Sequence, residues 1–206
     1  HQEPGDFMSL TFSAVLFDVD GTIVNSAPVI MGAFRSTLSD FGLEIPDDQR
    51  LRTYVGPPLW YSFGDLGYSG QLRADLVSRY RERYMDHYLD PEPFDGVRDL
   101  LWDLHHAGVP LATATSKQTP MAIAQMEHLG FADAFDVIAG ATPDPGSSKT
   151  TVIHEAVARL GAMGADVSHP VIVGDSIWDV RGGHEAGIPV IGVGWGYATE
   201  DGLDDA

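Results

Sequence analysis

Apolar residues in this chain recur with two spacings, and the spacings alternate. Short continuous apolar runs at residues 15–17, 111–114, 135–139, 171–173 and 190–193 read as buried strands. From residue 97 onward the segments between them carry the helical period instead. Val97, Leu100, Leu101 and Leu104 predict a helix that stops at Gly108, and a second runs from Thr119-Pro120 to Gly130. A loop rich in Pro, Gly and Ser precedes a third helix carrying Val152, Ile153, Ala156, Val157 and Leu160; residues 177–186 predict a fourth. Strands alternating with helices imply the α/β class, with a parallel sheet covered on both faces. In such sheets the ligand crevice lies outside the carboxyl ends of the strands.

The first strand is followed by something different. Ser26 and Pro28 resemble a helix start, and Val29, Ile30, Ala33, Phe34, Leu38 and Phe41 keep helical spacing up to Gly42. Asp47 and Asp48 begin another helix through Leu51, Tyr54 and Val55. The break Val55-Gly56-Pro57-Pro58-Leu59 leads into a short aromatic helix with Trp60, Tyr61 and Phe63. Ser69 then caps a longer helix with Leu72, Leu76, Val77, Tyr80, Tyr84 and Met85. Nothing from residue 24 to 89 reads as a strand, and Asp90-Pro91-Glu92-Pro93 reads as a linker. The expected organisation is a core of residues 8–23 and 92–206 with a helical cap of residues 24–91. Residues 1–7, ahead of Met8, read as a leader foreign to the fold.

Composition narrows the function. With 44% hydrophobic and 20% charged residues the chain folds rather than staying disordered. A formal net charge of −18 disfavours nucleic acid and anionic membrane surfaces as partners. The absence of cysteine rules out disulfides and thiolate metal sites. No apolar run reaches the length of a membrane span and no signal-peptide pattern is present, so a cytoplasmic setting is expected. Seven of the ten arginines (Arg35, Arg50, Arg52, Arg73, Arg79, Arg81, Arg83) fall in the helical insertion. Most are expected on a solvated face, with one or two left to line a pocket facing Asp18.

Candidate chemistry gathers at the strand ends. Asp18 follows the first strand, and Asp20 two residues on is expected on the same side of an extended backbone. Gly21 allows a sharp turn. Two carboxylates that close need a cation or a shared proton, which points to a divalent-metal site with a nucleophilic carboxylate; an ordinary solvated turn is the alternative. Thr115, Ser116 and Lys117 follow the second strand, Lys149 lies in the loop after the third, and Asp175 and Asp179 follow the fourth. Singly these are capping hydroxyls, surface lysines or turn residues. Jointly they put acids, a hydroxyl and both lysines of the chain on one rim of one sheet. That set suits phosphoryl transfer: a carboxylate attacks phosphorus, Mg²⁺ takes oxygen ligands, a hydroxyl and an ammonium hold the equatorial oxygens, and a second carboxylate handles the proton.

The segment Asp18-Val19-Asp20-Gly21-Thr22 resembles motif I of the haloacid dehalogenase-like phosphatases. Thr115 resembles their motif II hydroxyl, Lys149 their motif III lysine, and Gly174-Asp175-Ser176 with Asp179 their motif IV. The resemblance implies a Rossmann-like three-layer core with a helical cap inserted after motif I. It implies Asp18 as nucleophile and metal ligand, and Asp20 as general acid and base with its backbone carbonyl on Mg²⁺. Asp175 and Asp179 complete the metal set, and Gly21, Thr115, Ser116 and Lys149 bind the substrate phosphate. The cap and Gly192-Val193-Gly194-Trp195-Gly196-Tyr197 are similar to phosphoglycolate phosphatases. Val55-Gly56-Pro57-Pro58-Leu59 and Ala114-Thr115-Ser116-Lys117 are similar to a branch that also holds 5′-nucleotidases. Two departures stand out: Lys149 is not followed by the proline common in relatives, and relatives continue past the point where this chain ends.

The expected activity is thus Mg²⁺-dependent hydrolysis of a small phosphorylated metabolite by a monomer or homodimer. A 5′-nucleotidase of the same branch or a hexose-phosphate phosphomutase of the same fold would share every core residue.

 The phosphomutase would return an isomerised sugar phosphate where the hydrolases release free phosphate. A receiver-type signalling module also pairs carboxylates with a hydroxyl and a lysine, but it lacks the Asp-x-Asp spacing and the helical insertion. A non-catalytic protein on the same scaffold would be expected to lack at least one of these residues, and none is missing.

Overall fold

The computed structural model describes residues 12–144 and 146–194. The leader expected at residues 1–7 and the Trp195-Gly196-Tyr197 part of the resemblance lie outside them. The five apolar runs form β1 (Ala14–Phe17), β2 (Leu111–Gln118), β3 (Val137–Ala141), β4 (Pro170–Gly174) and β5 (Val190–Gly192). All pair in parallel, in the order β3-β2-β1-β4-β5. Alternation sorts their side chains to two faces. Ala14 and Leu16 join Ala112, Ala114 and Ile172 against Val152, Ile153 and Ala156 of α7 (Lys149–Ala162). Phe17 and Leu111 pack on the other face with Val97, Leu101 and Met126, from α5 (Val97–His106) and α6 (Thr119–Leu129). With α8 (Ile177–Ala186) after β4, this is a Rossmann-like α/β fold.

The order of the strands positions the site. The chain builds outward from β1 through β2 to β3, then crosses back to lay β4 on the free side of β1. Phe17 is level with both Thr113 and Val173. The residues that follow β1 and β4, and the end of β2, therefore meet where the winding reverses.

Between β1 and α5 the chain forms α1 (Ala27–Asp40), α2 (Asp48–Arg52), α3 (Leu59–Asp65) and α4 (Gly70–Met85). These helices have an apolar centre of their own, with Phe34 fully buried and its ring 4.8–5.5 Å from those of Tyr54, Phe63 and Tyr80. The chain leaves and re-enters the sheet region side by side. Asn25 N–H donates to the Glu92 carbonyl at 2.9 Å, Phe94 N–H donates to that of Ile23 at 3.0 Å, and Val24 bridges Pro93 antiparallel.

The arginines of this insertion lie on its outer face as most were expected to, but the one or two expected to face Asp18 do not. None of the seven is buried, and none pairs with Asp18. Arg79 and Arg83 hold Asp40 at 2.7 and 2.8 Å, and their hydrogen bonds lower its carboxyl to about pKa 2. Arg35 pairs with Asp48, Arg50 bonds Tyr54, and Arg73 lies over Trp60. The side of the insertion near Asp20 is lined by tyrosines instead, which bury more cheaply than guanidinium groups.

Two strand boundaries moved by two residues or more, and one helix cap behaves differently from expectation. β2 runs on to Gln118 and takes in Thr115, Ser116 and Lys117, which read as a following loop because they are polar. β3 lies two residues later than expected; Phe135, ahead of it, instead sets its ring edge-on to Phe17 at 6.3 Å. Ser26 occupies the first cap position of α1 in a helical conformation, and its side chain makes no capping bond. No helix among the described residues is long and apolar enough to cross a membrane.

Candidate active site

Asp18, one residue past β1, is buried, and its N–H donates to the Val173 carbonyl of β4 at 2.9 Å. Asp175 follows β4 directly, and Asp179 lies in the first turn of α8. A reciprocal capping box fixes that helix start: the Ser176 hydroxyl accepts from Asp179 N–H, and the Asp179 side chain reaches back to the cap backbone. Asp179 Oδ2 thereby accepts from Asp175 N–H at 3.1 Å and from Ser176 N–H at 3.2 Å. Carboxylate oxygens of Asp18, Asp175 and Asp179 all lie within 4.8 Å of one another. The loop after β1 can crowd them only because residue 21 is glycine: its φ is +83°, and a Cβ there would run into the Asp175 carboxylate.

Among the described residues, one cation touches this cluster. Lys149 opens α7 and sends its Nζ to Asp18 Oδ1 at 2.9 Å, to Asp179 Oδ1 at 2.8 Å and to the Ala114 carbonyl. Burial alone would favour the neutral amine, but the carboxylates of Asp179 and Asp18 outweigh it and raise Lys149 above the ordinary lysine range. Burial pushes the Asp18 carboxyl well above the usual carboxylate range. Repulsion from Asp179 and Asp175 adds to this, while Lys149 opposes it. Three carboxylates against one ammonium leave two negative charges in a buried space. A divalent cation with oxygen preference fits that deficit and donor set.

Asp20 goes elsewhere. Its side chain is outside the three-carboxylate cluster, and its Oδ1 lies 3.3 Å from Lys117 Nζ. The alternation that would put Asp18 and Asp20 on one side applies to extended backbone. β1 has ended at Phe17, and Asp20 already belongs to a turn bridged to Val24. Tyr80 and Tyr84 of α4 lie near this position. Burial raises both phenols well above the usual range, and the negative charge of Asp20 adds to each.

The remaining candidates divide. Thr115 is buried at the rim, where its Oγ1 accepts from Lys117 N–H at 3.1 Å, and Ser116 beside it is partly exposed. Of the residues flanking the Gly56-Pro57-Pro58 break, Tyr54 is internal: it donates to Asp65 Oδ2 at 2.6 Å. Trp60 and Tyr61 are exposed, and Tyr61 sits edge-on to Trp178 of α8 at 4.8 Å, where insertion and core meet. Arg52 is exposed. The pairing of Lys117 with Asp20 and with Gln125 was missed. The available signal was Gln125 itself, a polar residue on the apolar stripe of α6 beside Ala122 and Met126, fully buried in the structure.

The haloacid dehalogenase-like hydrolase family model matches residues 15–193. The chain is 38% identical over 192 residues to the tyrosine-protein kinase PtkA of Mycobacterium tuberculosis, covering 92% of this chain and 65% of that one, so it spans less than two thirds of that relative's length. It is 33% identical over 198 residues to a phosphoglycolate phosphatase of Caulobacter vibrioides, covering 93% and 83% of the two chains. A solved haloacid dehalogenase-like family hydrolase of Streptococcus pneumoniae superposes with a TM-score of 0.85 at 31% identity, covering 95% of this chain and 91% of that one.

Proposed function

The chain belongs to the haloacid dehalogenase-like hydrolase family, and on that footing we propose that it is a Mg²⁺-dependent phosphatase cleaving a small phosphate monoester through an aspartyl-phosphate on Asp18. The observation that carries this reading is the convergence of Asp18, Asp175 and Asp179 on one buried point with Lys149 beside them. The name of the Caulobacter relative supports a small ester such as phosphoglycolate as the substrate.

The family resemblance and the positions of these residues support the following roles. An Asp18 oxygen attacks phosphorus and the bond from phosphorus to the ester oxygen breaks, while Asp20 gives its proton to that leaving oxygen. Asp20 then takes a proton from water, whose oxygen attacks phosphorus and releases Asp18. Thr115, Ser116, Lys149 and the backbone at Gly21 hold the phosphoryl oxygens as charge spreads over them. Asp18, Asp175 and Asp179, with the main-chain carbonyl of Asp20, would hold Mg²⁺. The ion supplies charge neutralisation for the meeting of two anions. Tyr80 and Tyr84 lie near enough to Asp20 to feel its charge, and closure of the insertion over this rim would keep bulk water from it.

The test is phosphate release from a panel holding p-nitrophenyl phosphate, glycolate phosphate, 5′-nucleotides and hexose phosphates, with and without metal. Release is expected to fall by about 100-fold or more in EDTA and to return with Mg²⁺. Full activity in EDTA would remove the mechanism, and isomerised sugar phosphate without free phosphate would mark a phosphomutase. The name of the mycobacterial relative adds an arm with ATP and a tyrosine peptide, because a phenol could take the place of water at the second step.

A further inference from the structure

We propose that Lys117 is a positioning residue for the proton-transfer step, holding the Asp20 carboxylate in place and tying that place to the segment where the helical insertion rejoins the core. The inference rests on the phosphatase reading above, in which Asp20 carries the proton.

Local backbone geometry directs Lys117 inward. The pairing of β2 with β3 shifts register between Thr115 and Gln118, an irregularity of the kind that re-aims a side chain. Thr115 Oγ1 accepts the Lys117 N–H, and Gly140 of β3 makes room: a Cβ there would run into the Lys117 carbonyl oxygen and lie 3.0 Å from Thr119 N. The side chain is then almost wholly enclosed, 3% exposed, although it carries a charge.

The partners of the ammonium explain the burial. It lies 3.3 Å from Asp20 Oδ1, donates to Gln125 Oε1 and stands over the Tyr84 ring, 5.6 Å from its centre. Gln125 Nε2 in turn donates at 3.1 Å to the carbonyl of Tyr88, just ahead of the clasped linker. Asp20, Lys117, Gln125 and the Tyr88 backbone thus make one polar chain from the acid to the returning segment of the insertion. Lys149 serves the three-carboxylate cluster and Lys117 serves Asp20, so the two lysines act on different carboxylates. A carboxylate on a turn has several rotamers, and a fixed ammonium selects one. Misplacing a catalytic group by an ångström can cost about 100-fold in rate.

The test compares esters that need the acid with one that hardly does. In Lys117→Met, kcat on glycolate phosphate and phenyl phosphate is expected to fall about 100-fold. On p-nitrophenyl phosphate, whose leaving oxygen needs little proton help, the fall is expected to stay under about tenfold, with KM changed by less than about threefold on all three. Gln125→Met keeps the ammonium and removes its second anchor; it is expected to shift kcat in the same leaving-group-dependent way by about tenfold. Equal losses on all three esters in Lys117→Met, or unchanged kinetics, would overturn the proposal. If Lys117→Met does not fold, by circular dichroism, the ratio of losses in Gln125→Met decides alone on the same terms. A wild type that releases phosphate from none of the three would instead mean that the phosphatase reading has failed.

Discussion

Asp18→Asn is expected to lower phosphate release by about three orders of magnitude or more while leaving a folded chain. Asparagine keeps the shape of the side chain and loses the nucleophilic oxygen, so no phosphoryl bond to residue 18 can form. Stability should move the other way. Asp18 is buried, repelled by Asp179 and Asp175 and only partly compensated by Lys149. Removing its charge relieves that repulsion, so in EDTA the variant should melt at or above the wild type. The pH dependence follows from the direction of the shift. The folded protein binds the Asp18 proton more tightly than the unfolded chain does, so metal-free wild type loses stability as pH rises from the unfolded value, about 4, toward the raised folded one. Asp18→Asn should lack that loss. Mg²⁺ should raise the melting temperature of the wild type by mass action and raise that of the variant less. Calorimetric melts in EDTA and in Mg²⁺, beside a phosphate-release assay, check both halves. Turnover within tenfold of wild type would remove Asp18 as nucleophile.

Much of this was legible in the sequence because the sheet and its helices are written in apolar spacing. Val15, Leu16 and Phe17 announce β1, and the periodic Leu and Val positions announce the helices that cover it. The rule that sites lie at the carboxyl ends of strands then selects Asp18, Thr115, Lys149, Asp175 and Asp179 without any coordinates. What stayed hidden is which polar partner each polar group takes. Thr115, Ser116 and Lys117 do not look like strand, because strands are recognised by apolar residues, yet β2 runs through them: Thr115 pairs with Gly140, and Ser116 and Lys117 fall in a register shift that no local pattern encodes. Asp20 parted from Asp18 because the backbone had already turned. The arginines of the insertion could have faced either way on periodicity alone. Their outward placement is set by Phe34, Phe63 and Tyr80, which fill the inside.

Lys149→Met tests whether the carboxylate cluster is held together by its one ammonium. A cation in the first turn of a helix opposes the helix dipole, so Lys149 gains nothing from its place at the start of α7. The helix end is satisfied without it, by the Ser148–Thr151 capping box. Its raised affinity for the proton comes from Asp179 and Asp18, both in direct contact. Methionine keeps the length and removes the charge, which leaves three buried carboxylates facing one another without that ammonium. Breaking a buried pair in this way typically costs about 3–5 kcal/mol. In a chain of this size that corresponds to a melting temperature about 10 °C lower in EDTA. Mg²⁺ should recover part of that loss, because a cation in the cluster answers the same repulsion. It should not recover turnover, which is expected to stay about 100-fold down or more, because the ammonium that steadies the phosphoryl oxygens is gone. Stability restored by Mg²⁺ with activity still lost separates the two duties of Lys149. Wild-type melting in EDTA would show instead that the cluster does not depend on its lysine.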